Sequence, residues 1–304
     1  MSMPFYVSPD QQMRDKSDYA RKGVARSRSS VVLQYSGGIL MVTPNVSSVL
    51  HKISEIYDRI AFAAVGRYNE YEVLRKAGVT YADVTGYQFD RGDVTGRGLA
   101  NWYAQALGQN FSEPSGKPYE VELVVAEVGA KPDGDQIYRI SWDGSVSDEP
   151  GFVAFGGPAD QVAAALKERF SDGLTLTEAL GAALAALAAP VAATAGQPAA
   201  AAAKQPAAAA NGAQPELTAA NLEVAILDRA RAHRTFRRLQ GPRLEELIAQ
   251  VNATDSTEAA EADSSDPETS TPTAPAEPKP APASPGDDHP PTGPSSSGSD
   301  GIPR

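Results

Sequence analysis

The chain has 304 residues, a formal net charge of −11 and no cysteine. The lack of cysteine excludes disulfides, thiolate chemistry and cysteine-based metal sites. Residues 253–304 contain ten acidic residues against Lys279 and Arg304, which leaves a charge of about −3 for the rest of the chain. This near-neutral remainder has no long basic face, so we expect no nucleic-acid partner.

The beginning of the chain reads as neither an apolar span nor a signal peptide, because charged residues such as Arg14 and Asp15 come early. We therefore expect a cytoplasmic protein that does not bind a membrane. The three histidines are His51, His233 and His289, and the last of them lies in the acidic C-terminal segment. With so few imidazoles and no thiolates, we expect neither a metal site nor a cofactor.

Two segments are too biased in composition to form a core. Residues 253–304 contain no Leu, Val, Phe, Tyr or Trp, so they cannot bury enough apolar surface to offset the entropy of ordering. Residues 189–215 are mostly Ala, interrupted by Pro about every eight residues, which is shorter than an isolated helix needs in water. We predict one domain spanning residues 9–252, with a flexible insertion at 189–215. A disordered acidic tail follows at 253–304.

The first predicted element is a helix over residues 9–25. Ser8 is a good N-cap, Pro9 suits the first helical position, and Gln11 is placed as a capping-box partner that reaches back to the Ser8 amide. The apolar stripe at helical spacing consists of Met13, Tyr19, Ala20 and Val24. The helix is therefore expected to bury this stripe.

The remaining elements follow from apolar periodicity and turn residues. Predicted strands are 29–35, 39–42, 52–57, 60–65, 119–128, 136–142, 145–155, 222–228 and 235–239. Predicted helices are 68–82, 95–111, 158–170, 175–187 and 242–251. Thr175 and Glu178 form a capping box at the start of the helix 175–187. Strands grouped in hairpins and helices grouped in pairs argue for an α+β fold with two facing antiparallel sheets, covered outside by helices.

Candidate catalytic residues do not form a recognisable constellation. His51 and Lys52 are adjacent, and Ser29 or Ser30 is a possible nucleophile, yet no spacing joins them in a triad. The run Gly156-Gly157-Pro158 opens a predicted helix and could present amides to an anion, but it lacks the other glycines and the lysine of a phosphate loop. From the residues alone, the chain is a sandwich domain with a capped N-terminal helix and an acidic tail.

Several ordered blocks of sequence nevertheless resemble the proteasome α-subunits of actinobacteria, over about residues 3–252. The blocks are Met3-Pro4-Phe5-Tyr6-Val7-Ser8-Pro9, Tyr19-Ala20-Arg21-Lys22-Gly23, Ser54-Glu55-Ile56-Tyr57-Asp58-Arg59, Asp93-Val94-Thr95-Gly96-Arg97 with Leu99-Ala100-Asn101, and Lys117-Pro118-Tyr119-Glu120-Val121-Glu122-Leu123. The resemblance implies the N-terminal nucleophile hydrolase fold, a four-layer αββα sandwich with an extra N-terminal helix. It also implies a non-catalytic member of a threonine peptidase family.

The resemblance places the catalytic positions of active β-subunits on residues that cannot catalyse. A β-subunit uses a threonine at its own N-terminus, whose α-amine activates the hydroxyl. In this chain that position falls at about Arg28, the supporting acid falls near Pro44, and only a lysine, Lys52, is retained. The first threonine is Thr43. No catalytic residue is therefore expected.

The resemblance implies a role in assembly and gating of the 20S core particle. Homoheptameric outer rings would stack on β-subunit rings as α7β7β7α7, and Lys52 would pair with the C-terminal carboxylate of a hexameric AAA ATPase that delivers proteins bearing a ubiquitin-like tag. The gate would be formed by residues 1–8, namely Met3, Pro4, Phe5, Tyr6, Val7 and Ser8 with the preceding residues. Ring contacts are expected from the first helix, at Pro9, Asp10, Met13 and Tyr19.

Two alternatives remain open from the sequence. The chain could be a hydrolase of the same fold that uses an internal serine, Ser29 or Ser30. It could also be a free-standing adaptor that forms no ring with β-subunits.

Overall fold

The computed structural model describes residues 8–195 and 217–263. The predicted gate residues Met3–Val7, the part of the insertion at 196–215 and the tail residues 264–304 lie outside this range. The helices are α1 (Pro9–Ala25), α2 (Tyr68–Gln88), α3 (Gly96–Ser112), α4 (Ala159–Arg169), α5 (Leu176–Ala195) and α6 (Pro242–Asp263). The strands are β1 (Ser30–Tyr35), β2 (Gly38–Pro44), β3 (Ile53–Tyr57), β4 (Ile60–Gly66), β5 (Val121–Glu127), β6 (Gln136–Ile140), β7 (Val146–Asp148), β8 (Phe152–Phe155), β9 (Leu222–Asp228) and β10 (Phe236–Leu239).

The strands form two antiparallel five-stranded sheets. The first has the order β10-β9-β2-β1-β8 and the second the order β3-β4-β5-β6-β7. Strands such as β2 and β4 are apolar on both faces because each sheet is covered on both sides. Ile39 and Met41 of β2 face the cluster between the sheets, together with Ala61 and Ala63 of β4.

Helices cover the outer face of each sheet. Val31, Leu33 and the other outward residues of the first sheet pack with α4, α5 and α6. Phe62, Leu123 and their neighbours on the second sheet pack with α2 and α3. The predicted α+β fold, a four-layer αββα sandwich with an N-terminal helix, is therefore confirmed.

One predicted strand, 145–155, is divided between the two sheets. Its first part is β7 at the edge of the second sheet, and its last part is β8, which pairs with β1 in the first sheet. Between them the backbone of Gly151 has φ +80°, a conformation that favours glycine. The chain therefore crosses from one sheet to the other at Pro150-Gly151.

Three helices run further than predicted. Helix α2 continues to Gln88, and α6 continues to Asp263, past the predicted start of the disordered tail at residue 253. Helix α5 continues through Pro190 to Ala195, so residues 189–195 of the predicted flexible insertion are helical. Alanine has the highest helix propensity of all residues, and an established helix such as α5 extends more easily than an isolated one forms.

Helix α1 buries a different stripe from the predicted one. Ala20 and Val24 are buried as expected, but Met13 and Tyr19 are 42% and 47% exposed. Lys16 replaces Met13 on the inner side, because its ammonium donates to the main-chain carbonyl oxygens of Phe111 (3.2 Å) and Glu113. The C-terminal half of α1 therefore packs on the sandwich, whereas residues 9–15 are exposed.

Candidate functional site

Lys52 lies at the end of the sandwich where the β1 start and the β2 end meet. Its Nζ donates to the carbonyl oxygen of Pro44, at 3.2 Å, and the charge of Arg28 acts on it. The three positions that the resemblance assigned to a nucleophile, a supporting acid and a lysine are therefore brought together. They hold a guanidinium, a proline and an ammonium, so none of them supplies the hydroxyl that a threonine peptidase uses as its nucleophile.

The environment of Lys52 lowers the pKa of its side chain. Burial and, to a smaller extent, the positive charge of Arg28 lower the pKa of the Lys52 ammonium, Glu223 opposes the shift, and the resulting pKa is about 8. At neutral pH, Lys52 is therefore protonated in most molecules. An ammonium that is already partly desolvated, with a second cation beside it, favours an anionic partner.

Glu223 is a buried carboxylate at the centre of this end of the sandwich. It lies on β9 directly opposite Thr43 of β2, and it is 6% exposed. Its Oε2 accepts from the Lys52 amide (2.9 Å) and from Asn45 Nδ2 (2.8 Å), and its Oε1 accepts from the Ile53 amide (3.1 Å).

Two further cationic or titratable groups face the same carboxylate. Arg238 Nη1 of β10 donates to Glu223 Oε1, and Arg238 Nη2 donates to the Ile53 carbonyl, at 2.7 Å. The Nδ1 atom of His51 lies 3.4 Å from Glu223 Oε1. One carboxylate therefore connects β9, β10 and the segment leading into β3.

The loop of residues 45–52 is ordered by short-range hydrogen bonds. Asn45 Nδ2 also donates to the Leu50 carbonyl (2.8 Å), and the Leu50 amide donates to Ser47 Oγ (3.0 Å). Three apolar side chains of the loop are nevertheless exposed: Val46 by 65%, Val49 by 76% and Leu50 by 44%. The loop thus exposes three apolar side chains among the six residues that precede Lys52.

The two candidate serines are engaged in structural hydrogen bonds. Ser30 is 2% exposed and its Oγ donates to Thr43 Oγ1 at 2.7 Å, whereas Ser29 is 5% exposed and its Oγ donates to the Gly156 carbonyl at 3.4 Å. His51 lies beside Glu223. The contacts of these residues thus hold the strands of the sandwich together and do not pair a serine with a base.

The Gly156-Gly157-Pro158 turn does not present its first amide to an external anion. Glu122 of β5 accepts from the Gly156 amide at 2.9 Å, and the same side chain pairs with Arg139 at 2.5 Å. Glu122 is buried. The chain's own carboxylate therefore occupies the position that an anion would take.

Three of the four predicted ring-contact residues lie on the exposed first turns of α1, and the fourth, Tyr19, is 47% exposed in the half that packs on the sandwich. Ser8 is the N-cap, and its Oγ accepts from the Gln11 amide at 3.3 Å. Pro9, Asp10 and Met13 follow on the exposed turns. The side-chain amide of Gln11 donates to Asp15 Oδ1 (2.8 Å); the predicted capping box is therefore replaced by a single cap with a pair along the helix.

The second half of α1 is fixed by close contact with Glu120, just before β5. A Cβ atom at Gly23 would overlap the Glu120 carboxylate, so glycine is required there for helix and carboxylate to approach. Glu120 pairs with Lys117 (2.8 Å), and Lys117 also lies 5.7 Å from the centre of the Tyr19 ring. Helix α1 is therefore held against the sheet at several points.

Glu223 was not among the site residues predicted from the sequence. A signal was present, since Leu222–Asp228 is an otherwise apolar strand and a charged residue near the start of such a strand needs a buried partner. Within residues 8–195 and 217–263, no group of acidic, histidine or cysteine side chains could hold a metal ion. In the same part of the chain, no helix is long and apolar enough to cross a membrane.

Comparisons with known proteins agree with the resemblance read from the sequence. The family model described as proteasome subunit matches residues 24–197. The proteasome subunit alpha of Streptosporangium roseum is 60% identical over 260 residues, which are 85% of this chain and 92% of that protein. The proteasome subunit alpha of Kineococcus radiotolerans is 60% identical over 82% of this chain and 99% of its own length, and that of Frankia alni is 58% identical over 84% and 100%. The chain therefore belongs to the proteasome subunit family, and its similarity lies with the α-subunits of actinobacteria.

Proposed function

We propose that this chain is a non-catalytic α-subunit that builds the outer rings of a 20S proteasome core, gates substrate entry and docks an ATPase. The observation that supports this most is the junction between α1 and β1. By the resemblance, the position of the nucleophile falls at about Arg28, and a helix of 17 residues precedes it. A residue within a continuous chain has no free α-amine, so the chemistry of a threonine peptidase has no starting group.

Ring formation is supported by the exposed part of α1. Met13 and Tyr19 expose 42% and 47% of their surface, although Ala20 and Val24 of the same helix are buried against the sandwich. Large apolar side chains left exposed on a packed helix indicate a protein partner. In the proposed particle the partners are neighbouring copies of this chain in a homoheptameric ring and the β-subunits beneath, as α7β7β7α7.

ATPase docking is assigned to Lys52 and to the loop of residues 45–52, which we therefore call the docking loop. A C-terminal carboxylate would pair with the ammonium, and apolar side chains next to that carboxylate would cover Val46, Val49 and Leu50. These three residues are exposed in the single chain, and covering them would contribute favourable apolar burial. The proposed partner is a hexameric AAA ATPase that delivers tagged proteins in the cytoplasm.

Gating is assigned to residues 1–8, whose apolar run Phe5-Tyr6-Val7 precedes the Ser8 cap. Seven copies of this run would converge at the ring axis and cover one another. The test is deletion of residues 2–8 in the particle assembled with the β-subunit. Hydrolysis of large peptides should rise several-fold, whereas hydrolysis of short peptides should change little. Unchanged rates for large peptides would refute the gating role.

A further inference from the structure

We propose that Glu223 is a positioning residue for the docking loop, which holds the Lys52 ammonium where a partner's carboxylate can reach it. This proposal rests on the proposed docking role of Lys52 and adds a residue of β9 to that site. Glu223 would not touch the partner. Its role would be to fix the backbone from which Lys52 projects.

The hydrogen bonds of Glu223 act on the backbone of the Lys52 segment itself. The carboxylate accepts from the amides of Lys52 and Ile53, at 2.9 and 3.1 Å. On the other side, the Lys52 carbonyl accepts from the Ala64 amide of β4 at 3.0 Å. The main chain of Lys52 is therefore held from both sheets, with Glu223 supplying the contact from the first.

The start of the docking loop is fixed by the same carboxylate. Asn45 Nδ2 bridges Glu223 Oε2 and the Leu50 carbonyl, each at 2.8 Å. Removing the charge of Glu223 would thus weaken both ends of the loop at once. The exposed residues between these ends, Val46 and Val49, would then lose their fixed position.

Burying the charged side chain of Glu223 costs free energy unless its hydrogen-bond partners are kept. It is 6% exposed, and Arg238 on β10 supplies the compensating charge. A buried carboxylate with several donors gives charge-assisted hydrogen bonds, which are stronger than neutral ones. An amide in its place keeps one acceptor oxygen and turns an NH₂ group toward groups that are themselves donors.

Glu223 also acts on the charge of Lys52. Its negative charge opposes the lowering of the Lys52 pKa by burial and by Arg28. His51 and Tyr71 are further titratable groups near this carboxylate. Loss of the Glu223 charge would therefore reduce the fraction of ammonium at neutral pH, in addition to loosening the loop.

The test compares Glu223→Gln with Glu122→Gln in particles assembled with the β-subunit. Glu122 is a matched control because it is buried, accepts from a backbone amide and pairs with an arginine, but its contacts are with Gly156 and Arg139. The probe is a synthetic peptide with the ATPase's C-terminal sequence, made with a free carboxylate and as the C-terminal amide. Lys52→Ala is measured alongside.

We expect Glu223→Gln to weaken binding of the carboxylate peptide by about tenfold, which corresponds to loss of about 1.4 kcal/mol. Its preference for carboxylate over amide should fall, whereas Glu122→Gln should keep the wild-type preference even if it lowers the melting temperature. Hydrogen exchange at the amides of Lys52 and Ile53 should accelerate only in Glu223→Gln.

The two proposals fail in different ways. If Lys52→Ala binds the carboxylate peptide as wild type does, the docking role of Lys52 is refuted. If Lys52→Ala weakens binding but Glu223→Gln keeps the wild-type preference or exchange rates, the positioning role is refuted. A Glu122→Gln variant that loses the preference equally would also refute it, because the effect would then be general destabilisation.

Discussion

Helix α1 and the docking loop are both attached to the sandwich, but they are held in different ways. Helix α1 is fixed at several independent points: Lys16 on the end of α3, Gly23 against Glu120, and Val24 in the cluster between the sheets. The docking loop converges on Glu223. The helix should therefore tolerate the loss of any one polar contact, whereas the loop should be sensitive to a single charge.

The largest effect is expected from Lys52→Ala, which removes the proposed docking charge without disturbing α1. Stimulation of protein degradation by the ATPase should fall by more than about tenfold, since a buried or half-buried charged hydrogen bond contributes about 1.5–3 kcal/mol. Basal cleavage of short peptides should be unchanged. Lys167→Ala, an exposed lysine on α4, is the control and should leave stimulation intact. Equal loss in both variants would contradict a specific role for Lys52.

The contact between α1 and Glu120 can be broken by Gly23→Ala. The added methyl would overlap the Glu120 carboxylate, so we expect destabilisation of about 1–3 kcal/mol, the usual cost of overpacking. Gly108→Ala in α3 is the matched control, because its Cβ would lie 3.6 Å from the nearest atom, the Asp143 carbonyl oxygen. That variant should be neutral or more stable by up to about 1 kcal/mol. The melting temperatures of the two variants test this prediction. Equal values would contradict it, because they would show that α1 shifts to accommodate the methyl group.

The smallest effect expected in this comparison is a pH dependence of the loop that α1 does not share. The Lys52 pKa is about 8, so raising the pH from 7 to 9 should weaken binding of a carboxylate peptide by about tenfold as the ammonium is lost. Stability changes in the opposite direction. Because burial depresses the pKa in the folded state, folding is disfavoured while the lysine is charged, and this cost disappears as the pH rises from 8 toward 10.5.

Peptide titrations at several pH values, with the Lys52→Ala particle as the control, measure this dependence. The variant should bind weakly at all pH values and show no midpoint near pH 8. A midpoint that persists in Lys52→Ala would assign the pH dependence to another group.

Much of the fold was predictable because it depends on local patterns. Ser8 and Pro9 identified the start of α1, and strands apolar on both faces identified two sheets covered by helices. The inner face of α1 was predicted wrongly because hydrophobicity favoured Met13 over Lys16. The ammonium of Lys16 is held there by carbonyl groups of α3, and a periodicity of apolar residues contains no information about such a partner.

The site was less predictable for the same reason. Lys52 was identified by resemblance, but Glu223 lies far away in sequence and meets the docking loop only because β9 pairs with β2. The division of the predicted strand 145–155 had a visible signal in Pro150-Gly151. The additional length of helices α5 and α6 had no such signal in the sequence, because composition alone does not show where a helix that is already packed on the core will end.

Native mass spectrometry of the chain co-expressed with its β-subunit tests the central proposal most directly. We predict a particle of four stacked seven-membered rings, in which peptide cleavage depends on the β-subunit and is absent when this chain is purified alone. A chain that stays outside any ring would support the free-standing adaptor. A chain that cleaves peptides alone and loses this activity in Ser29→Ala or Ser30→Ala would contradict the non-catalytic role.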